Sequence, residues 1–477
     1  MKPIKNIPLK NQISIKMKKK DAIIIGSGQA GNPLAIKLSS AGWKTVLIEK
    51  SEKMLGGVCV NVGCTPSKIL IASAKVMHTI KTSEKHGIAV PEVSIDFDAT
   101  QKKKEKIVED SRKGVKKNLE EAENLDLIFG TASFSGEKTI SVQQENGETV
   151  KFTAPHIFIN AGCRPAILEI DGLNNVKWYD STGILELREI PEKLIVIGSG
   201  YIGLELGQMY SRFGSEVVVV DKASQIMSNE DPDIATSLQE ILEEEGLKFH
   251  LNAEIEKVEQ NGKEITLSYL KNHKEEQIRG THLLIVPGRK SNADSLKLEN
   301  AGIKADEKGY IKVNSKLETN VDGVYALGDI KGGPQFTHIA YNDYVIVSDN
   351  ILDEKTGSTE GRIIPYTVFT DPQVGRVGLS EKEATEKKLN FSVIKIEGKR
   401  ITRGLESAET QGIWKAIVDQ DSGKILGAAI IGTEGGEMAS VIQMAMTGNI
   451  PAKDLQTFIF SHPTYSESLN TLFDELE

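Results

Sequence analysis

A strand–turn–helix–strand pattern that occurs twice is the feature that most constrains this fold. Ala22–Gly31 reads AIIIGSGQAG, a short apolar run followed by a glycine turn, with a helical pattern continuing through Ser40. Thr45–Glu49 (TVLIE) is a second apolar strand that ends on an acid. Lys193–Gly203 (KLIVIGSGYIG) repeats the plan, and Glu216–Asp221 (EVVVVD) supplies its second strand. In each copy three glycines in G-x-G-x-x-G spacing let backbone N–H groups and a helix N-terminus meet a pyrophosphate. They are Gly26, Gly28 and Gly31 in the first copy, and Gly198, Gly200 and Gly203 in the second. The acid, Glu49 or Asp221, follows the last glycine by 18 residues in both, where a carboxylate accepts from ribose hydroxyls. One such motif is weak, since glycine turns before helices are common. Two complete copies, 172 residues apart, predict two dinucleotide-binding βαβ domains.

Asp221 also bears on the choice of nicotinamide. A carboxylate there repels a 2′-phosphate, and only Lys222 stands nearby as a cation. The expectation is NADH in preference to NADPH.

Composition excludes several classes. The first twenty residues hold seven lysines and no acid, so the rest carries 51 basic against 67 acidic residues. A body that acidic is not expected to bind nucleic acid. Three cysteines in 477 residues exclude a disulfide scaffold and a four-cysteine zinc site, and no metal site is expected. No apolar stretch approaches the roughly 18 residues that cross a bilayer, and the basic start lacks the apolar core of a secretory signal. The expectation is a soluble, cytoplasmic protein whose residues 1–20 form a disordered basic leader. Met17, with three lysines after it, would otherwise begin the fold directly.

Gln101–Glu123, dense in lysine and glutamate at helical spacing, reads as a solvated helix face. The polar stretch Leu352–Arg362 reads as a linker. Beyond it, strand-like runs at Ser392–Ile396, Ala416–Val418 and Ile425–Ile431 alternate with helical stretches at Glu381–Lys388 and Glu437–Met446. That pattern predicts an appended α+β unit.

Gly56–Lys68 reads GGVCVNVGCTPSK. On one regular helix Cys59 and Cys64 would be offset by about 500° and about 7.5 Å of rise. A disulfide needs Cα atoms within about 7 Å, so the pair can bridge only where the backbone leaves the helix. Gly63 and Pro66 supply reasons for that. Two unrelated buried cysteines are the simpler alternative for the segment taken alone. Its place between two nucleotide motifs favours a thiol–disulfide relay, with a helix start and Lys68 to stabilise a thiolate. Cys163, in NAGCRP, reads as an inert buried thiol.

Together, Glu49, GGVCVNVGCTPSK and the paired glycine motifs resemble the flavin-dependent pyridine nucleotide–disulfide oxidoreductases, which include dihydrolipoyl dehydrogenase, glutathione reductase and mercuric reductase. NAGCRP resembles the family's ATGxRP turn, with Asn160 and Cys163 as departures. Gly288-Arg289 resembles its GRxPN turn, TNVDGVYALGD its second flavin motif, and HPTYSE its interface motif HPTxSE. The similarity runs over residues 21–475. It implies an α/β fold with two Rossmann-like domains, for FAD and NAD, plus a C-terminal α+β dimerisation domain. Expected boundaries are 21–165 and 281–351 for the FAD part, 166–280 for NAD and 362–477 for the interface.

The resemblance also implies roles. FAD would be held by Gly26, Gly28, Gly31, Glu49, Lys50, Gly57, Lys68, Gly162 and Asp329. NAD would be held by Gly198, Gly200, Tyr201, Gly203, Asp221 and Gly288, with Tyr201 as the aromatic gate of the nicotinamide pocket. Cys64 would be the thiolate nearer the flavin and Cys59 the interchange thiol. Lys68 and Glu205 resemble the ion pair beside the flavin ring, or else make an ordinary helix–helix salt bridge. His462, oriented by Glu467, would be the acid/base acting in the partner's site, so the active enzyme would be a homodimer.

The substrate is harder to read. The NADH preference and HPTYSE suit dihydrolipoyl dehydrogenase. GSGQAGNPLA, CTPSK, VFTDPQVGRVGLSE and ETQGIWKAIVD look more like a mercuric-reductase-like branch, which includes flavoproteins linked to copper and oxidant resistance. The chain ends FDELE without a vicinal cysteine pair, which argues against efficient handover of a soft metal ion. The expectation is a mercuric-reductase-like flavoprotein acting on a small-molecule disulfide or a metal ion. Dihydrolipoyl dehydrogenase is one alternative, and an NADH/FAD-binding sensor with little turnover is another.

Overall fold

A computed structural model describes residues 17–476. The leader expected over 1–20 lies outside the described residues as far as Lys16. Met17–Lys19, however, is a β-strand, paired in parallel with Thr149–Thr153.

Packing separates the chain into two units. The first comprises Met1–Cys59, Ser111–Cys163 and Ser291–Glu360, and the second Val60–Asp110, Arg164–Lys290 and Gly361–Glu477. The frame of the first is a five-stranded parallel sheet in the order Val324–Ala326, His156–Ile159, Ala22–Ile25, Thr45–Glu49, Leu125–Phe129. Numbered along the chain this is 5-4-1-2-3, the doubly wound order of a dinucleotide-binding sheet. Its strands are continuous apolar runs because both faces are covered. Ile23, Ile25, Val46, Ile48, Ile157 and Ile159 point into one core. Ala22, Ile24, Leu47 and Phe158 meet Leu34, Ala35 and Leu38 of the Gly31–Ser40 helix in the other. Ligands in such sheets bind where the strand order reverses. Here that point lies between Ala22–Ile25 and His156–Ile159, so Gly26 and Asn160 emerge at it.

The second unit repeats the topology in a four-stranded parallel sheet ordered Lys248–His250, Glu216–Val220, Lys193–Ile197, His282–Ile285. An antiparallel meander, Glu254–Asn261, Glu264–Lys271 and Lys274–Gly280, supplies Val258, Leu267 and Tyr269 to one of its cores. Its C-terminal part is an antiparallel sheet ordered Pro365–Val368, Gln373–Gly378, Ile425–Gly432, Ile413–Asp419, Phe391–Glu397. The Gly435–Thr447 helix lays Met438, Ile442 and Ala445 into the same core as Val377 and Trp414. The α+β reading of this region stands. The expected helix at Glu381–Lys388 runs Glu381–Glu386, started by a Ser380–Glu383 capping box.

Two expectations are corrected. The helix expected over Gln101–Glu123 forms as Phe97–Glu120, with the Asp98–Lys102 and Lys116–Glu120 pairs on its surface. Gln101 and Lys104 are buried, however, and donate to the carbonyls of Leu187 and Leu185, so the face is not uniformly solvated. In addition, Gly57–Lys81 reaches a mean hydropathy of 1.2 over 18 residues, enough by length and composition to cross a bilayer. That run is interrupted at Gly63, and within the second unit its Lys68 and Lys75 pair with Glu205 and Asp371.

Candidate active site

In the first glycine turn the backbone is packed too closely for side chains. A Cβ on Gly26 would stand 2.4 Å from the Asn160 carbonyl oxygen, and one on Gly31 would stand 2.0 Å from that of Gly26. The buried Glu49 carboxylate is already anchored. Ser27 donates to it from both its N–H, at 2.9 Å, and its hydroxyl, at 2.7 Å, while the Lys50 N–H donates to the other oxygen. Lys50 therefore contributes its backbone, and its side chain is exposed. The same Ser27 oxygen accepts from the Gly56 N–H, and Gly57 presses on Gly28, where a Cβ would lie 2.8 Å from the Gly28 Cα. The glycine pair before Cys59 is thereby tied to the first glycine turn. Gly162 lies in left-handed backbone beyond Asn160, and Cys163, buried, donates its thiol to the Asp329 carbonyl at 3.3 Å. These residues fit a dinucleotide: a helix N-terminus for the pyrophosphate and a fixed carboxylate for the ribose.

The cysteine segment breaks where the sequence suggested. A short helix, Gly57–Asn61, carries Cys59, and an 18-residue helix begins at Cys64 with Gly63 as its cap. Gly63 has φ −128° and ψ −111°, which neither a helix nor a strand uses. Pro66 sits in the first turn, where no N–H is needed for the helix ladder. Cys64 is thus the first residue of a long helix, where the unsatisfied N–H groups and the helix dipole favour a thiolate. It is exposed, and Cys59 is half-buried.

Four residues along that helix, Lys68 binds Glu205 of the Tyr201–Phe213 helix at 2.5 Å. Glu205 is buried, and its other oxygen accepts the Phe369 N–H at 2.8 Å, while the Phe369 ring lies under the Lys68 ammonium, 4.6 Å from its centre. Residues 369–371 are fixed along one face of the Tyr201–Phe213 helix. Gln208 exchanges two hydrogen bonds with the Asp371 backbone, and Arg212 bridges Asp371 and Glu245. Burial pushes the Asp371 carboxyl up, but Arg212 and Lys75 outweigh it and hold the group below the usual carboxylate range.

The second glycine turn mirrors the first. Ser199 gives its N–H and hydroxyl to Asp221, each at 2.7 Å, and the Ala223 N–H takes the other oxygen. Gly200 caps the helix with open space where a Cβ would stand, and the third glycine, Gly203, packs on the Gly198 carbonyl. Tyr201 is the first residue of the helix, and its hydroxyl accepts from the Arg289 guanidinium at 2.9 Å, next to Gly288.

His462 and Glu467 are brought together, the carboxylate oxygens 2.8 and 3.0 Å from Nδ1. The imidazole is 67% exposed, so Nε2 is presented outward. Sequence reasoning missed Ser27, Ser199, Phe369 and the role of the Asn160 side chain. For the serines a signal existed, since both turns read Gly-Ser-Gly.

Residues 20–343 match the family described as pyridine nucleotide-disulphide oxidoreductase, and 364–473 match its dimerisation domain, which points to a homodimer. The chain is 37% identical over 460 residues to the probable pyridine nucleotide-disulfide oxidoreductase RclA of Escherichia coli, covering 96% of this chain and 99% of that protein. The solved Cu(II) complex of that HOCl-induced flavoprotein disulfide reductase superposes with a TM-score of 0.88, covering 97% of this chain and 100% of the other at 36% identity. Identity is 34% to the mercuric reductase of Staphylococcus aureus (94% of this chain, 81% of the relative). It is 35% to the mitochondrial dihydrolipoyl dehydrogenase of Pisum sativum (94% and 90%). With its two glycine turns and its cysteine-bearing helix start, the chain belongs to the pyridine nucleotide-disulphide oxidoreductases, FAD-dependent oxidoreductases that use a pyridine nucleotide.

Proposed function

We propose that the protein is a cytoplasmic, NADH-dependent flavoprotein disulfide reductase that passes two electrons to a Cys59–Cys64 disulfide and on to a small disulfide or a soft metal ion. The observation that carries this reading is the helix break at Gly63, which puts Cys64 at the N-terminus of the long helix and leaves Cys59 on a separate helix. Bound FAD supplies the relay between the nicotinamide and the disulfide.

Gly26, Gly28, Gly31, Glu49 and Asp329 would hold the flavin dinucleotide, with Gly57 and Gly162 shaping the turn around it. Gly198, Gly200, Gly203, Asp221 and Gly288 would hold NADH, with Tyr201 as the aromatic gate of its pocket. The anchored Asp221 carboxylate accepts from a ribose diol and rejects a 2′-phosphate. Lys68, fixed by Glu205 and Phe369, would be the cation that tunes the flavin's electronics. Reduction of the disulfide takes two electrons and one proton, giving the Cys59 thiol and a Cys64 thiolate favoured by the helix dipole. On a disulfide substrate Cys59 would pass its proton to Nε2 of His462 of the partner subunit, oriented by Glu467, and attack one sulfur. The other departs as a thiolate and takes that proton, and Cys64 then closes on Cys59 and releases the second substrate thiolate.

The solved Cu(II) complex of the E. coli relative makes Cu(II) the metal ion to try first. Turnover with NADH on lipoamide, oxidised glutathione, Hg(II) and Cu(II) tests the reading. The expected result is negligible lipoamide reduction alongside metal- or disulfide-dependent NADH oxidation. Rapid lipoamide reduction that is lost in His462→Ala would make lipoamide the small disulfide and the protein a dihydrolipoyl dehydrogenase, which the intact His462–Glu467 pair also suits. No NADH oxidation with any of the four acceptors would contradict the reading.

A further inference from the structure

The two glycine turns are built alike except for one side chain. In both, the strand across the switch point sends its backbone over the first glycine. The Asn160 N–H donates to the Ile25 carbonyl as the Val286 N–H donates to that of Ile197, and the Asn160 and Val286 carbonyl oxygens would stand 2.4 and 2.5 Å from a Cβ on Gly26 and Gly198. Asn160 and Val286 are therefore equivalent positions. Val286 is apolar, and around Gly200 of its turn nothing comes within 4 Å of a Cβ position. Asn160 is buried at 8% exposure and extends its carboxamide into the first turn. With the amide oriented so that both ends are satisfied, its oxygen accepts the Gly31 N–H at 2.9 Å and the Gly28 N–H at 3.3 Å, and its nitrogen donates to the Leu327 carbonyl at 3.2 Å. The same side chain lies 2.9 Å from a Cβ position on Gly28 and on Gly31, and 3.1 Å from one on Gly328.

From this asymmetry we infer that Asn160 is a positioning residue that locks the first glycine turn in its dinucleotide-binding shape, making that site retentive while the second, unlocked turn exchanges its ligand. The inference rests on the reading that the first turn holds FAD. The carboxamide ties three segments, the glycine turn, the strand end at 160 and the Leu327 backbone before Asp329, at the switch point. Ordering the turn before the ligand arrives removes an entropic cost of binding and so slows release. Two backbone N–H groups are satisfied from inside the protein, which leaves the phosphates to the N–H groups of Gln29 and Ala30 at the helix start. An alanine here would leave the half-buried Gly28 and buried Gly31 donors unmet and the turn free to relax.

The test is the rate at which FAD leaves the holoenzyme, followed by recovery of flavin fluorescence. Asn160→Ala is expected to release FAD about tenfold faster or more. Asn160→Asp supplies a readout that a merely structural role would not move. Its ionised carboxylate repels the pyrophosphate, whereas the protonated acid is an isostere of the amide, so release should be fast near neutrality and slow toward the parent rate in acid. Glu49→Gln separates the inference from its premise. Release at the parent rate in Asn160→Ala, with faster release in Glu49→Gln, overturns the lock and leaves the FAD reading standing. Parent rates in both variants overturn the premise and the lock together.

Discussion

Glu49 and Asp221 show how much a single acid depends on its neighbours. Each receives two bonds from the serine between the first two glycines, so the carboxylate is fixed before any ribose arrives. On the proposed NADH reading, Asp221→Ala would remove the acceptor of the diol and the repulsion of a 2′-phosphate. The expected outcome is a rise of about tenfold in KM for NADH, with a smaller rise for NADPH, measured by steady-state kinetics with each nucleotide. The acids and glycines were legible in the sequence because their spacing is set by one βαβ unit. Ser27 and Ser199 were visible as a repeated Gly-Ser-Gly but carried no sign of their partner. The Asn160 bonds were not legible, since they depend on a strand arriving more than a hundred residues later at the switch point.

At the scale of elements, the cysteine helix pair was readable and the segment that braces it was not. Gly63 and Pro66 announce a break, and the chain breaks there. Residues 369–371 meet the Tyr201–Phe213 helix only through tertiary packing, with Glu205, Gln208 and Arg212 at helical spacing along one face. The clamp has an acid signature. Because the folded Asp371 carboxyl lies below its usual value of 3.8, it contributes stability that is complete above that value and is lost as pH falls through the folded pKa. Urea midpoints measured from neutrality into acid should therefore fall more steeply for the parent than for Asp371→Asn. The variant itself should be weaker at neutral pH by about 1–3 kcal/mol, because Arg212 loses a buried charged partner.

At the scale of the whole molecule, the α/β class and the appended α+β unit were legible because apolar runs, glycine turns and a polar linker mark them in order. The membrane-length hydropathy of Gly57–Lys81 escaped notice because lysines punctuate it, and those lysines prove to be paired in the fold. The exposed His462–Glu467 pair belongs to the dimerisation domain, and the account assigns it to the partner's site. Mixed dimers formed at equal dose from Cys64→Ser and His462→Ala, each inactive alone, should recover about a quarter of parent turnover. Half of such dimers are heterodimers, and each of these has one intact site. No recovery in dimers shown to be mixed would place histidine and cysteine in one subunit.

The central claim is that electrons from NADH come to rest on Cys59 and Cys64, and anaerobic titration of the oxidised enzyme with NADH tests it most directly. At one equivalent the account predicts a long-wavelength thiolate-to-flavin charge-transfer band, retained in Cys59→Ser without any titration and absent in Cys64→Ser. Bleaching of the flavin by the first equivalent, with no such band in the parent, would contradict it.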